Sequence, residues 1–194
     1  MNATITSTAH YVPEKVLTNS DLEKLVDTSD EWIKSRVGIN QRHVVSDGEA
    51  SSDMSTKVAH SLLEKRGISA ANIDVIIIGT VTPDHPTPST AAIVQNNINA
   101  ENAWAFDLSA ACSGFLYALE TGAKFIESGQ YKTIMVIGVD TMTSILDFED
   151  RETCIIFGDG AGGVILEASK SNTGILGSVL KTDGSGAESL NVLA

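Results

Sequence analysis

Two short runs, Val75-Ile76-Ile77-Ile78 and Ile134-Met135-Val136-Ile137, constrain this chain more than any other feature. Both lack a polar position on either side of a pleated strand, so each must be covered on both faces. Neither approaches the roughly 20 apolar residues that a membrane-spanning helix requires. Two-sided burial of short strands calls for helices above and below a sheet, and the rest of the chain supplies them.

Residues 3–9 read as a strand, followed by turn signals at Pro13 and Thr18-Asn19-Ser20. Ser20 and Asp21 open a short helix over 21–26, and Thr28 with Glu31 forms a capping-box pattern for a second helix bearing Trp32 and Arg36. Met54, Val58 and Leu62 lie four apart on one face of a helix over 52–66 that Gly67 stops. Residues 74–81 are a strand. The segment Pro83-Asp84-His85-Pro86-Thr87-Pro88 is a loop, with Pro88 in the first turn of a helix reaching residue 98. A strand over 103–108, an almost uniformly apolar helix from Cys112 to just before Gly129, and a strand over 132–139 follow. Residues 154–157 and 163–167 read as a strand pair around a tight turn at Gly158-Asp159-Gly160. Strands separated by helices imply right-handed crossovers and an α/β fold, with a mostly parallel sheet covered by helices on both faces.

The chain has 194 residues, enough for one domain or a tightly coupled pair, and 42% of them are hydrophobic against 20% charged, as in a globular protein. A net charge of −12 excludes nucleic acid and an anionic membrane as partners held by the average field. The two cysteines, Cys112 and Cys154, cannot form a disulfide framework, and with the four histidines they fit no metal-ligand spacing, so no metal is expected. The first residues, MNATITSTAHYVPEK, lack the basic and apolar regions of a secretory signal, which makes a cytoplasmic location the expectation.

Cys112 stands between a strand and a helix across the small-residue bend Ser109-Ala110-Ala111. There the backbone N–H groups and the helix dipole favour a thiolate, and the same amides can receive an oxyanion. From residue type alone a small buried hydrophobe remains the commoner role for such a cysteine. Cys154, beside Ile155 and Ile156, reads as structural. None of His10, His43, His60 and His85 has a motif that ties it to Cys112 as a base. The run Gly158-Asp159-Gly160-Ala161-Gly162 lacks the Lys-Ser/Thr ending of a phosphate loop. Trp32 and Arg36, one helical turn apart, could stack on a base and reach a phosphate, though spacing alone favours an anchor and a solvated charge.

Three strings carry a resemblance. Thr28-Ser29-Asp30-Glu31-Trp32-Ile33 with Arg36, Gly38 and Ile39 resembles the N-terminal signature of β-ketoacyl-[acyl-carrier-protein] synthase III. Residues 107–119, with Ala-Cys-Ser-Gly-Phe, resemble that family's nucleophile segment, and Ile156-Phe157-Gly158-Asp159-Gly160-Ala161-Gly162 is similar to a third block. The resemblance implies a thiolase-like fold, one half of a layered αβαβα architecture. It implies decarboxylative condensation of an acyl-CoA primer, acetyl-CoA foremost, with malonyl-acyl carrier protein, which begins type II fatty-acid synthesis. Cys112 would be the acylated nucleophile. Trp32 and Arg151 would flank the adenine of coenzyme A, Arg36 and Arg151 would stand near its phosphates, and Thr28 beside the nucleotide. Thr87, Met142 and Phe157 would belong to the substrate pocket, with Thr87 reaching it across a homodimer. No permanently bound cofactor is implied, coenzyme A entering as a thioester substrate.

On the same resemblance, residues 1–170 are the nucleophile-bearing half and 171–194 begin the connection to a second half absent from this chain. The family's catalytic His and Asn, and most of the carrier-protein docking surface, would lie in that half. The 194 residues alone would then support acyl loading at most, and would leave apolar helix faces open. Two other roles follow from the same strings: a truncated or split half that acts by pairing with another chain, and a related acyltransferase of secondary metabolism.

Overall fold

The computed structural model describes residues 2–171 and 173–192; Met1, Asn172, Leu193 and Ala194, the last three within the expected connecting segment, lie outside the described residues. The elements run β1 (Asn2–Tyr11), β2 (Lys15–Thr18), α1 (Asn19–Leu22), α2 (Asp30–Val37), β3 (Gln41–Val44), α3 (Ser51–Arg66), β4 (Val75–Gly79), α4 (Thr90–Asn97), β5 (Trp104–Leu108), α5 (Gly114–Glu127), β6 (Thr133–Thr141), α6 (Arg151–Cys154) and β7 (Asp159–Ser169).

Five strands form one sheet in the order β1-β7-β6-β4-β5, while β2 and β3 make a separate antiparallel pair. Strand β4 is parallel to both neighbours, β5 and β6, whereas β7 is antiparallel to β6 and to β1. Four of the five strands therefore point one way and β7 alone opposes them, a mixed sheet that is mostly parallel in direction.

All five residues of β4 are buried, and its side chains divide by parity. Ile76 and Ile78 pack with Met54, Val58 and Leu62 of α3 and with Ala91 and Val94 of α4. Val75 and Ile77 face the other way, toward Ala118, Ala123 and Ile126 of α5. Each isoleucine so enclosed contributes about 1.5–3 kcal/mol of burial. The helices must lie on opposite faces for a topological reason. The β4–α4–β5 crossover travels outward and the β5–α5–β6 crossover travels back over β4, so two right-handed connections cover opposite sides.

The structure corrects several sequence expectations. The glycine-rich segment is no turn: Gly160, Gly162 and Gly163 lie inside β7, which pairs with β1 on one side and β6 on the other, Gly162 standing opposite both His10 and Gly138. Gly163 answers crowding, since a Cβ there would lie 2.9 Å from both Ile137 Cγ1 and the Val136 carbonyl oxygen. Residues 154–157 are correspondingly not a strand, for Cys154 ends α6. Helix α4 begins beyond Pro88, because the Ser89 side chain accepts from the Ala92 N–H and sets the cap there. Ser29 rather than Thr28 caps α2, accepting from the Trp32 N–H at 3.1 Å. Helix α5 is not apolar all round: Lys124 and Glu127 are exposed, and so is Leu116, at 55%.

Candidate active site

The parallel strands β4, β5 and β6 end on the same edge at Gly79, Leu108 and Thr141, and the loops leaving that edge carry the reactive side chains. This is where open α/β sheets place ligands. After β5 the backbone turns sharply. Ala111 adopts φ +46°, a left-handed conformation that costs a residue with a Cβ about 1–2 kcal/mol. A single 3-10 turn over Ala111–Ser113 then leads into α5 at Gly114. The elbow is clamped from below by β4: a Cβ on Gly79 would lie 2.8 Å from the Gly114 carbonyl carbon. Cys112 sits at the tip and is exposed.

The cysteine opens onto a cavity of about 550 Å³ lined also by Phe115, Asp140, Met142 and the glycines of β6 and β7. Absent side chains shape its floor: a Cβ on Gly138 would lie 3.1 Å from that of Phe115. The glycine run thus lines the cavity beside the cysteine.

Three aspartates on the strands fasten the surrounding loops. Asp107 accepts the N–H groups of Thr90 and Ala91 at 2.7 and 2.8 Å, anchoring the start of α4. Asp140 Oδ1 accepts from the Val81 and Thr82 N–H groups and from the Thr80 and Thr82 hydroxyls, all within 3.2 Å, holding the loop after β4. Asp159 takes the N–H groups of Thr143 and Val45, both at 2.8 Å. Carboxylates occupied in this way are structural fasteners. None of the four histidines lines the cavity. His43 Nδ1 meets the Pro13 carbonyl at 2.6 Å, and His10, His60 and His85 are exposed.

A second constellation lies around α2 and α6. The Arg151 guanidinium carbon stands 4.3 Å from the centroid of the Trp32 ring, a cation–π distance. Asp150 caps α6, accepting from the Glu152 N–H, and so fixes the base from which Arg151 projects. Arg151 Nε and Thr28 Oγ1 are both buried without a hydrogen-bond partner among the described residues. Arg36 is exposed on the last turn of α2. Behind them, Leu22, Ile33, Cys154 and Ile155 form a small core on which Trp32 and Phe148 pack. Cys154 is fully buried there, and burial pushes its thiol up from the ordinary value, aided by the charge of Asp150. Among the described residues no cluster of His, Cys, Asp and Glu could hold a metal ion.

Of the residues singled out in the sequence, the structure brings Cys112 and Met142 to one cavity and Trp32 and Arg151 to one contact. Phe157, half-buried between α6 and β7, and Thr87, exposed in the loop before α4, are not among the cavity's lining residues. Sequence reasoning missed the Gly79–Gly114 contact and the role of Gly138. It also missed the left-handed Ala111, for which an alanine gives no signal.

Solved structures with this arrangement of sheet and helices are enzymes of the thiolase fold, and that is the fold of this chain. The synthase from Thermus thermophilus superposes with a TM-score of 0.92 at 39% identity over 97% of this chain and 58% of that one. The one from Aquifex aeolicus superposes with a TM-score of 0.85 at 46% identity over 87% and 55%. The family described as 3-Oxoacyl-[acyl-carrier-protein (ACP)] synthase III matches residues 106–184. β-Ketoacyl-[acyl-carrier-protein] synthase III of Chlorobaculum tepidum is 60% identical over 186 residues, 95% of this chain and 56% of that protein. By sequence and by fold, then, the chain matches β-ketoacyl-[acyl-carrier-protein] synthase III. It spans about half the length of the curated relatives it matches. No helix among the described residues is long and apolar enough to cross a membrane.

Proposed function

We propose that this chain carries the acyl-loading machinery of a β-ketoacyl-[acyl-carrier-protein] synthase III. The observation that carries this reading is Cys112, exposed on a left-handed elbow at the mouth of a cavity. In the loading step the Cys112 sulfur, as thiolate, attacks the thioester carbonyl of an acyl-CoA, acetyl-CoA foremost. The C–S bond to coenzyme A breaks, coenzyme A leaves as thiolate and takes up a proton, and the acyl group stays on Cys112. Splitting transfer from condensation in this way needs a covalent thioester. Malonyl-acyl carrier protein then loses CO₂, and its carbanion displaces Cys112 to give 3-oxoacyl-acyl carrier protein, the entry to fatty-acid synthesis.

The adenine enters between Trp32 and Arg151 by parting their direct contact, Arg36 and Arg151 meet the phosphates, and Thr28 turns its unpartnered hydroxyl to the nucleotide. The nearness of the two side chains and the orphaned Arg151 Nε and Thr28 Oγ1 support this assignment, although at 4.3 Å the pair leaves no room for a ring until Arg151 swings off the indole. Met142 borders the acyl chain, Phe157 stands next in sequence to the lining residue Gly158, and Thr87 acts on a neighbouring copy in a homodimer. Residues 1–170 form the nucleophile half, and the segment after it leads to a second half. Exposed apolar residues support a covering layer there, notably Leu116 at 55%, Leu176 at 72% and Val179 at 85%. The protein works in the cytoplasm.

Intact mass before and after incubation with acetyl-CoA tests the loading step. An acetyl adduct that maps to Cys112 and disappears in Cys112→Ala is the expected result; an adduct that persists in Cys112→Ala overturns the reading.

A further inference from the structure

Trp32 and Arg151 meet at 4.3 Å but belong to different elements, so something must hold α2 and α6 in register. The side chain that ties those elements together is Arg42 on β3, only 3% exposed. Its Nε donates to the Ile155 carbonyl at 3.1 Å, its Nη2 donates to the same oxygen, and its Nη1 reaches Asn19 Oδ1 at 2.5 Å. Ile155 is the residue that closes α6, directly beyond the turn bearing Arg151. Asn19, 1% exposed, spends its amide on the other element: Nδ2 donates to Asp30 Oδ1 and to the Ile39 carbonyl, both at 2.8 Å. Asp30 opens α2, and Ile39 follows its Gly38 cap, so Asn19 grips both ends of the helix that presents Trp32.

The chemistry is an uneconomical way to hold a fold. A buried guanidinium loses its hydration, and burial lowers the Arg42 pKa, yet its partners here are neutral oxygens, with no ion pair to a carboxylate among the described residues. What the planar fork supplies is direction, since several N–H vectors leave one rigid group at fixed angles.

We infer that Arg42, acting through Asn19 and the Ile155 carbonyl, is a positioning residue that fixes α2 and α6, and so Trp32 and Arg151, relative to each other for a nucleotide. The inference rests on the reading that this pair holds the adenosine of coenzyme A, and it adds the device that keeps the pair in register.

Asn19→Ala and Arg42→Lys test it with adenosine 3′,5′-bisphosphate as the probe, alongside Trp32→Ala. All are made in a Trp104→Phe background, which leaves Trp32 as the one tryptophan of this sequence. Asn19→Ala frees α2 while leaving Arg42 on Ile155; Arg42→Lys keeps the charge and loses the fork. Each is expected to weaken binding on the order of tenfold, the worth of a hydrogen bond to a charged group. Trp32 emission should change even without the probe, while the alkylation rate of Cys112 by iodoacetamide stays at the parent value. In the Trp32→Ala background the effect of Asn19→Ala on binding should vanish, because positioning acts only through the ring.

Parent-like binding and emission in Asn19→Ala and Arg42→Lys, with weakened binding in Trp32→Ala, would overturn the positioning role and leave the nucleotide reading standing. Parent-like binding in Trp32→Ala would overturn both. Losses that simply add, or a parallel change in Cys112 alkylation, would show a general disturbance and also overturn the role. Should Arg42→Lys fail to fold, Asn19→Ala alone decides.

Discussion

Gly79 and Gly114 meet backbone to backbone, so closely that a Cβ on Gly79 would stand 2.8 Å from the Gly114 carbonyl carbon and 3.0 Å from its oxygen. The contact pins the first residue of α5 to the last residue of β4, and the nucleophile elbow hangs from it. Gly79→Ala must push α5 off the sheet, because what the methyl meets is backbone and cannot rotate away. The expected cost is about 1–3 kcal/mol in unfolding free energy, with slower acylation of Cys112 as the elbow shifts. A denaturant titration and a loading assay check this; an unchanged loading rate would show that the contact does not position the cysteine.

The two thiols should separate cleanly in reactivity. Cys112 is exposed, while Cys154 is fully buried in the small core under Trp32, where burial first and Asp150 second push its pKa up. Near neutral pH, iodoacetamide should alkylate Cys112 alone, with Cys154 reacting only after the protein is unfolded. Peptide mapping after a short exposure reads the outcome, and comparable labelling of both cysteines in native protein would contradict the packing around α6.

Much of the frame was legible in the sequence because its signals are periodic. Ile76 and Ile78 against Val75 and Ile77 announce a strand with two covers, and Met54, Val58 and Leu62 announce the helix on one of them. What escaped depends on partners distant in sequence. Gly158-Asp159-Gly160 reads as a tight turn because a glycine cluster has that local preference, yet Gly160 lies inside β7, and farther along that strand Gly163 answers the Val136 carbonyl and Ile137 of a neighbouring strand. Arg42 gave no sign of its importance, since its three oxygen contacts come from Asn19 and from Ile155, 113 residues away. Thr28 with Glu31 has the spacing of a capping box, but Ser29 beside it has the same chemistry, and only geometry chooses between them. The assignment of Trp32 and Arg36 to a nucleotide came from resemblance, not from spacing.

Thr87 is exposed and stands outside the cavity that Cys112 lines, so an influence on the acyl chain fits a route through another copy of the protein. Thr87→Phe would then narrow the pocket of the neighbouring copy, lowering loading from octanoyl-CoA far more than from acetyl-CoA, with isobutyryl-CoA between them. Competition among the three thioesters gives the profile directly. Identical profiles for the two proteins would remove Thr87 from the pocket.

Acid should weaken the protein partly through Glu167. Burial would raise this carboxyl, but hydrogen bonding with Arg66 and Thr6 and the Arg66 charge outweigh it, so its folded pKa lies below the ordinary 4.5. Arg66 Nε stands 2.5 Å from Glu167 Oε2, tying the last turn of α3 to β7. A carboxylate depressed in the folded state stabilises it at pH above the unfolded pKa, and that contribution is lost as the pH falls through the folded value. Both side chains are partly exposed, at 39% and 21%, which limits the pair to about 0–1 kcal/mol and a Tm change of at most about 4 °C. Glu167→Gln should therefore melt slightly below the parent near pH 6 and converge on it as the pH approaches about 3. Melting curves across that window decide the point, and a gap that widens toward low pH would mean that the carboxyl is raised rather than depressed.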